Sequence, residues 1–327
     1  MKILITGGAG FIGSNLTRRA LTRGWRVVVL DNLSTGYAEN LDGLDVDFVH
    51  GSLLDETALA RAFEGVDTVV HLAALGSVPR SLADPVSSHH ANATGTLLLL
   101  EQARRQRVRH VVVSSSSSVY GLNPALPKHE RGWVRPMSPY AVSKLAEEQY
   151  ALAYQQSFGL TTLALRFFNV YGPRQRAGHA YAAVIPRFIE ALLNDQPLVV
   201  HGDGTNSRDF TFVGTVCDAL MDAVDRGVTH SEPVNLAFGT SIPLLTLISM
   251  LQDLTGKSPE VVFTEPRGGD VPHSQADSAR LRQLFPGLRP VELSAGLRET
   301  VDWHLNVSSG LVGGPLTRQG QASSPRT

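Results

Sequence analysis

The chain has 327 residues, 43% of them hydrophobic and 18% charged, and its formal net charge is −1 at pH 7. This composition is that of an ordinary globular protein, and it offers no basic surface for nucleic acid or for an anionic membrane. The single cysteine, Cys217, excludes an internal disulfide and a multi-cysteine metal site, so no metal is predicted. No apolar signal core precedes the first predicted strand, and the apolar run 97–100 is too short to span a bilayer, so the predicted location is the cytoplasm.

The first predicted elements are a strand, a glycine turn and a helix. Residues 2–6 form a short apolar run, and residues 14–23 have a helical pattern. Between them, Gly7, Gly10 and Gly13 have the spacing of a dinucleotide-binding turn, in which glycines permit a tight turn, close approach of a pyrophosphate and close helix–strand packing. The N–H groups at the start of the helix would face the phosphates. A plain strand–turn–helix unit is the alternative interpretation.

An acidic residue, Asp31, follows the next predicted strand at 27–30. A carboxylate at this strand end can bond both hydroxyls of a ribose, and it repels the additional phosphate of NADP. The sequence therefore predicts NAD as the cofactor.

Strands and helices alternate through the first half of the chain. Apolar strands separated by helices are typical of a parallel sheet covered on both faces. We predict an α/β fold, a Rossmann-type doubly wound parallel sheet with a smaller, interleaved C-terminal α/β domain for the substrate. Further predicted strands are 46–50, 68–72, 110–113, 161–168 and 234–238, predicted helices are 55–64, 85–107, 139–158, 244–254 and 294–305, and a strand–helix unit is predicted at 210–228. The predicted domains are an NAD-binding domain at 1–168 to which 210–239 return, a substrate-binding domain at 169–209 and 240–306, and a flexible tail at 307–327.

Candidate catalytic residues lie on the predicted helix 139–158 and at the end of a strand. Tyr140 and Lys144 are four residues apart, on one helical face, where the lysine charge favours the phenolate form needed for a general base. Ser116 follows the strand 110–113, at the sheet edge where open α/β folds bind ligands. It can bond a substrate hydroxyl and share a proton with Tyr140. A tyrosine–lysine pair on a surface helix is the alternative interpretation of this spacing alone.

Several segments together resemble the extended short-chain dehydrogenase/reductase family, in its nucleotide-sugar branch. These are the glycine turn at 6–13, Asp31-Asn-Leu-Ser-Thr-Gly36, His71-Leu-Ala-Ala74, the serine run at 114–121, Tyr140-Ala-Val-Ser-Lys144 and Arg166-Phe-Phe-Asn-Val-Tyr-Gly-Pro173. Within this branch, the segments 75–80, 126–128 and 180–186 are similar to UDP-sugar 4-epimerases, especially those acting on UDP-N-acetylglucosamine. The resemblance extends from residue 1 to about residue 305.

The resemblance implies a set of cofactor-binding residues. They are Gly7, Gly10, Phe11, Ile12, Gly13, Asp31, Asn32, Ser34, Thr35, Gly36, Ser52, Leu53, Leu72, Ala73, Ala74, Asn92, Ser114, Tyr140, Lys144 and Phe168. Within the set, Asn92 is expected near the ribose and Phe168 beside the nicotinamide. Ser52 departs from the family, which commonly has an aspartate that bonds the adenine amino group at this position, and Asp55 lies too far along the chain to replace it.

A second implied set binds the UDP-sugar substrate. It consists of Gly76, Ser77, Ser116, Ser117, Ser118, Tyr140, Asn169, Ala183, Val184, Val199, His201, Arg208, Arg267, Asp270 and Ser274. Asn169 is expected to contact the diphosphate, which Arg208 and Arg267 would clamp because a guanidinium group can fork across two phosphate oxygens. Val184 and His201 would flank the uracil, and Asp270 would hold a ribose hydroxyl or orient an arginine.

The resemblance implies a UDP-hexose 4-epimerase that oxidises C4 of the sugar transiently and returns the hydride to the opposite face. Ser274 aligns with the residue that limits room for the 2-substituent, so UDP-GlcNAc and UDP-GalNAc are the expected substrates, with UDP-Glc and UDP-Gal also accepted. Ser117 and Ser118 stand where dehydratases and decarboxylases have acids. UDP-glucuronate 4-epimerases, which tend to have threonine at the position of Asn169, remain an alternative, and a non-catalytic NAD sensor is a further one. Relatives also imply a homodimer formed by the helices 85–107 and 139–158.

Overall fold

A computed structural model describes residues 1–177, 182–265 and 271–308. The strands are β1 Lys2–Thr6, β2 Arg26–Asp31, β3 Asp47–His50, β4 Thr68–His71, β5 His110–Ser116, β6 Thr162–Phe167, β7 Asn169–Tyr171, β8 Leu198–His201, β9 Ser207–Arg208, β10 Phe210–Phe212, β11 Val234–Leu236, β12 Ile242–Pro243 and β13 Val261–Thr264. The α-helices are α1 Phe11–Thr22, α2 Glu56–Ala62, α3 Val78–Ala83, α4 Pro85–His89, α5 Gly95–Arg105, α6 Pro139–Phe158, α7 Val184–Leu193, α8 Val213–Arg226, α9 Leu244–Thr255, α10 Ala279–Leu284 and α11 Leu293–Ser308. Most of the predicted tail lies outside the described residues.

The central element is a seven-stranded sheet in the order β11-β6-β5-β4-β1-β2-β3, and every pairing within it is parallel. The order of the strands reverses between β1 and β4, because the chain runs from β1 to β2 on one side and from β4 to β5 on the other. A crevice opens there, outside the carboxyl ends of the strands, which is where such folds bind dinucleotides. The predicted Rossmann-type parallel sheet is confirmed.

Both faces of the sheet are buried under helices. One apolar cluster joins α1 and α8 through residues such as Leu16 and Leu220, and a second joins α2, α5 and α6 through residues such as Leu59, Leu99 and Ala151. Each of these side chains is at most 3% exposed. Complete burial of a leucine contributes about 1.5–3 kcal/mol, so the two layers hold the strand ends in fixed positions. Cys217 belongs to the first cluster and is fully buried.

Helix α6 has the residues of the predicted segment and well-defined ends. The Ser138 hydroxyl accepts a hydrogen bond from the N–H of Ala141, and Pro139 occupies the first helical position, where no N–H is needed. Gly159 ends the helix in the left-handed conformation, with φ of 69°. The capped start fixes Tyr140 in the first turn.

The predicted helix 85–107 is not uniform. It consists of α4, a π-helical turn at His90–Thr94, and α5. The extra residue of a π turn changes the direction in which side chains project, and here the turn carries the fully buried Asn92. The hydrophobic pattern of the sequence did not reveal this interruption.

The remaining strands form three two-stranded sheets. β10 pairs with β7, β12 with β9, and β13 with β8. β11 is the edge strand of the large sheet. β10, from the predicted unit 210–228, lies outside that sheet. The domain boundaries drawn from the sequence remain a prediction.

Candidate active site

The glycine turn between β1 and α1 requires glycine at two positions. Gly7 has φ of +70°, and a Cβ there would lie 2.8 Å from the Ala73 nitrogen. A Cβ on Gly13 would lie 2.1 Å from the Gly7 oxygen, which no side chain could accommodate. Gly10 precedes α1 and provides no side-chain cap. The first-turn N–H groups thus face the crevice without a capping side chain, an arrangement suited to a phosphate.

Asp31 lies beside this turn at the end of β2. Its Oδ2 accepts a hydrogen bond of 2.9 Å from the N–H of Ala9, and its Oδ1 accepts one of 2.8 Å from the N–H of Leu33. Burial raises the pKa of this carboxyl group, while the two backbone N–H groups lower it. Each oxygen retains a lone pair, so the carboxylate can accept further hydrogen bonds from ribose hydroxyls.

The crevice forms a cavity of about 750 Å³ at the carboxyl ends of the strands. This volume and the donors around it suit a dinucleotide. Predicted cofactor residues in its lining are Gly7, Gly10, Phe11, Ile12, Gly13, Asp31, Asn32, Ser34, Thr35, Ser52, Leu53, Leu72, Ala73, Ala74, Ser114, Tyr140, Lys144 and Phe168. Gly76, Ser77 and Ser116, predicted to bind substrate, also line it.

Gly36 and Asn92, the two other predicted cofactor residues, do not line the cavity. A Cβ on Gly36 would lie 3.0 Å from the Asp31 carboxylate, so this glycine leaves room for Asp31. The Asn92 amide is fully buried; it accepts a hydrogen bond from the N–H of Leu75 and donates one to the Ser143 hydroxyl. Asn92 thus supports the cavity wall and helix α6 from behind, and its place near the ribose stays a prediction.

Ser52 lines the cavity, and its hydroxyl accepts a hydrogen bond from the N–H of Leu54. Asp55 instead caps α2, because its carboxylate accepts hydrogen bonds from the N–H groups of Thr57 and Ala58. The side chain of Asp55 is therefore committed to the helix, consistent with the expectation that it does not replace the family aspartate.

The predicted catalytic residues meet in one wall of the cavity. Tyr140 and Lys144 reach it from α6, and Ser116 reaches it from the end of β5. Among the described residues, the Ser116 hydroxyl bonds the N–H and the hydroxyl of Ser118, at 3.1 and 2.9 Å, and it makes no direct bond to Tyr140. The proton exchange predicted between Ser116 and Tyr140 therefore requires a substrate hydroxyl or a water molecule between them.

Behind this wall lies a buried ion pair that the sequence analysis did not include. The Lys144 ammonium lies 2.5 Å from Oε2 of Glu147, and the side chains of both residues are at most 3% exposed. Burial raises the pKa of the Glu147 carboxyl to about 7, against the opposing effect of Lys144. Glu147 is seven residues after Tyr140, so the spacing of four and then three places all three residues on one helical face. This spacing is the feature of the sequence from which Glu147 could have been identified.

His71, at the end of β4, is fully buried and lies close enough to Lys144 to be affected by its charge. Its Nδ1 lies 2.7 Å from the Thr6 hydroxyl, and its Nε2 lies 2.8 Å from the Thr96 hydroxyl. Thr96 donates its own proton to the Asn92 carbonyl, so Nε2 is the protonated nitrogen and Nδ1 accepts from Thr6. Burial and the charge of Lys144 lower the pKa of His71 to about 3, which keeps the ring neutral.

A second cavity, of about 240 Å³, lies among the smaller sheets. Predicted substrate residues in its lining are Asn169, Ala183, Val184, Val199, His201 and Arg208. It shares Val170 and Gln175 with the large cavity. Its mixture of apolar side chains and two guanidinium groups, those of Arg187 and Arg208, fits a base and a diphosphate. Gln175, which the sequence analysis did not single out, contacts both spaces.

A third cavity, of about 290 Å³, adjoins the other two. Predicted residues in its lining are Ser116, Ser117, Ser118, Phe168, Asn169, Arg208 and Ser274. It shares Ser116 and Phe168 with the large cavity, and Asn169 and Arg208 with the second. A small polar ligand here would therefore lie between the hydroxyl groups at the end of β5 and the guanidinium group of Arg208.

Asp209 organises the segments around Arg208. It is fully buried, and its carboxylate accepts hydrogen bonds from the N–H groups of Gly239 and Ala276 and from the Thr240 hydroxyl. No role for Asp209 was predicted from the sequence. Arg267 and Asp270, predicted to clamp the diphosphate and its ribose, lie outside the described residues.

Lys128 lines the third cavity and is 6% exposed. Its ammonium donates to the Asn123 carbonyl, and burial lowers its pKa. The described residues that line this cavity include no aspartate or glutamate. In the sequence, Lys128 was notable only within the segment 126–128, which is similar to UDP-sugar 4-epimerases. Nothing in its local pattern indicates that the side chain faces a cavity.

The geometry agrees with comparisons to known proteins. Residues 3–237, more than half of the chain, match the NAD dependent epimerase/dehydratase family. The chain belongs to the NAD-dependent epimerase/dehydratase family. Membership confirms NAD as the cofactor, and with it the predicted resemblance to the extended short-chain dehydrogenases/reductases.

Relatives of this family align over nearly the whole chain. A UDP-glucose 4-epimerase of Mycolicibacterium smegmatis is 38% identical over 315 residues, covering 94% of this chain and all of the relative. A UDP-N-acetylglucosamine 4-epimerase from Methanobrevibacter ruminantium, solved with UDP-N-acetylmuramic acid, has a TM-score of 0.89 and 36% identity, covering 94% of this chain and 98% of the other. A UDP-glucuronic acid 4-epimerase from Bacillus cereus, solved with UDP-glucuronic acid and NAD, has a TM-score of 0.87 and 32% identity, covering 94% and 100%.

The described residues hold neither a metal-binding cluster nor a membrane-spanning helix. No cluster of three or more His, Cys, Asp or Glu residues that would suit a metal ion occurs among them. In that same part of the chain, no helix combines the length and the apolar character needed to cross a membrane.

Proposed function

We propose that the protein is a UDP-hexose 4-epimerase that interconverts UDP-GlcNAc and UDP-GalNAc and also accepts UDP-Glc and UDP-Gal. The observation that carries the proposal is the shared wall of the first and third cavities, because Ser116 and Phe168 line both. A hexose in the third cavity would meet the serine hydroxyl groups on one side and the cofactor cavity on the other. Its diphosphate would extend toward Arg208.

The chemistry assigned to the chain is proton transfer and orientation. When bound, NAD supplies a hydride acceptor that can later return the hydride. Tyr140, as phenolate, takes the proton of the sugar 4-hydroxyl, and Ser116 bonds the same oxygen. Lys144 stabilises the phenolate by its charge. Tyr140 then gives the proton back when the opposite face of C4 is reduced.

The remaining residues would hold the nucleotide while the sugar turns over. Arg208 and Asn169 line both the second and the third cavity, so they are placed to hold a diphosphate between a base and a hexose. Ser274 is a small residue in the third cavity, and it leaves room for an N-acetyl group. Because only the nucleotide is held, the sugar can rotate and present first one face of C4 and then the other to the cofactor.

A UDP-glucuronate 4-epimerase is the second candidate, supported by Lys128. Its buried ammonium in a cavity without described carboxylates is compatible with a carboxylate on the sugar. Asn169, where uronate epimerases tend to have threonine, favours the first candidate.

The test is turnover of UDP-GlcNAc, UDP-Glc and UDP-GlcA by the purified protein, first without added cofactor and then with NAD. The proposal expects UDP-GalNAc from UDP-GlcNAc without added NAD, because a cofactor that is regenerated in each cycle need not leave the protein. Conversion of UDP-GlcA alone would replace the first candidate by the second. If none of the three UDP-sugars is converted when NAD is supplied, the remaining candidate is a non-catalytic NAD-binding sensor.

A further inference from the structure

Glu147 is an acidic residue outside the proposed catalytic set that is in direct contact with one member of that set, Lys144. Its Oε2 lies 2.5 Å from the Lys144 ammonium, and its side chain is fully buried. Its other oxygen, Oε1, is buried without a hydrogen-bond partner among the described residues. Burying a carboxylate with one unpaired oxygen costs free energy, so Glu147 lowers the stability of the folded chain.

The position of Glu147 on the helix connects it electrostatically to Tyr140. Seven residues at 1.5 Å each separate them by about 10 Å along α6, with Lys144 between them. The Lys144 charge favours the phenolate, and a carboxylate on the far side of Lys144 offsets part of that effect. At 10 Å and an effective dielectric constant near 20, the offset is on the order of one pH unit.

The neighbouring titratable groups that the structure describes, His71 and Glu148, give Lys144 no further counter-charge. His71, on β4, faces the same region and is neutral because its pKa lies near 3. Glu148, the next residue on α6, is paired with Arg166 at 2.7 Å and bonded by the Ser115 hydroxyl. From β5, the residues that line the cavity are serines.

We propose that Glu147 is a positioning residue that holds the Lys144 ammonium and partly neutralises it, and so sets the pH at which Tyr140 becomes an effective base. This role rests on the proposed function of Tyr140 and Lys144. A purely structural role would predict only a lower kcat when the carboxylate is removed. The proposed role predicts, in a variant that still folds, a change in the pH dependence of kcat.

The test compares the kcat profiles of the wild type and Glu147→Gln between mildly acidic and alkaline pH, with NAD bound. The variant is expected to have its acid limb about one pH unit lower, because the phenolate then experiences the full lysine charge. The limb should also become a single-proton step, since two coupled acids become one. Glu147→Asp keeps the charge and should stay closer to the wild type.

Two further variants separate charge from folding. Glu147→Met is unbranched and apolar, so it removes the charge without leaving a buried amide unpaired, and it should shift the limb in the same direction as Glu147→Gln. Glu101→Gln removes a partly exposed carboxylate paired with Arg104 on α5 and should leave the limb in place. Folded Gln and Met variants whose limbs coincide with that of the wild type would overturn the proposal.

A titration without substrate separates this inference from the proposed function. The ultraviolet tyrosinate signal of Tyr140 is the difference between each protein and its Tyr140→Phe counterpart. It should appear at lower pH in Glu147→Gln than in the wild type, even if no UDP-hexose is turned over. Equal midpoints would refute the role of Glu147, whatever the substrate proves to be.

Discussion

The Asp31 carboxylate and the Ala9 amide are joined by a hydrogen bond of 2.9 Å, which ties the end of β2 to the glycine turn. Asp31→Ala removes this bond and the one from Leu33, and leaves two N–H groups without their partner. We expect a loss of at least about tenfold in NAD affinity and of about 2 kcal/mol in the free energy of unfolding. Calorimetric titration with NAD and NADP, together with urea unfolding, measures both effects.

Asp55→Ala is the matched control for Asp31→Ala, since it removes a helix cap near the same sheet edge. It should lower stability by about 1 kcal/mol and leave NAD affinity unchanged. If Asp31→Ala bound NAD as tightly as Asp55→Ala does, Asp31 would have no role in cofactor recognition.

Tyr140→Phe removes the proposed general base while retaining the ring. We expect kcat to fall by at least about a hundredfold with little change in KM, because the lost interaction acts on proton transfer. Tyr150→Phe removes a hydroxyl from an exposed position on the same helix and serves as the control. Steady-state epimerisation assays decide the matter, and a Tyr140→Phe variant with most of its kcat would exclude Tyr140 as the base.

Ser274→Tyr tests the room for the 2-substituent. Ser274 is 7% exposed and lines the third cavity, so a bulky side chain there must project into the space proposed for the sugar. We expect kcat/KM for UDP-GlcNAc to fall by at least about tenfold more than that for UDP-Glc. Ser274→Ala should leave the ratio of the two near that of the wild type. A parallel loss on both substrates would show that Ser274 does not discriminate between them.

We predict that the buried His110 lowers the free energy of unfolding in acid. It is 3% exposed, and burial lowers its pKa to about 4. Since an unfolded histidine titrates near pH 6.5, the unfolded chain binds more protons between these values, and stability falls as the pH drops through this window. From pH 6.5 to pH 5 the contribution of His110 is up to about 2 kcal/mol. Urea unfolding of His110→Leu should show a shallower fall than the wild type, and equal slopes would contradict this.

The predicted homodimer can be tested on exposed apolar side chains of α4 and α6. Val86 is 63% exposed and Val142 is 52% exposed. A charge buried in an interface is strongly unfavourable, so Val142→Glu should sediment as a monomer where the wild type sediments as a dimer. Phe263→Glu alters a similarly exposed residue on β13 and should leave the mass unchanged. A monomeric wild type would refute the dimer.

The sequence was sufficient for those features that local pattern determines. The turn at Gly7–Gly13, the capped start of α6 at Ser138 and the parallel sheet all follow from glycine, proline and apolar spacing. Pairings between distant segments have no such signature. Nothing near Asp209 indicates that its carboxylate bonds Gly239 and Ala276, and nothing near Asn92 indicates a π turn that places it behind the cavity wall.

The Tyr140–Lys144–Glu147 row shows a different limit. Its spacing was visible in the sequence, but a glutamate on a helix is usually solvated, and only packing shows that this one is buried against Lys144. Identity of the sugar is likewise a property of cavity volume, which depends on segments from several parts of the chain.

The segment that carries Ser274 is bound on both sides by other parts of the chain. The N–H of Ser274 donates to the Ser207 carbonyl, the N–H of Lys128 donates to Gln275, and the Lys128 carbonyl accepts from Asp277. Exchange of this segment alone, in order to change substrate preference, would therefore disturb the distant strand β9 and the loop that carries Lys128. Engineers who transplant residues 271–277 from a relative would need to transplant 126–128 and 207 with them, and natural variants at these three places should change together.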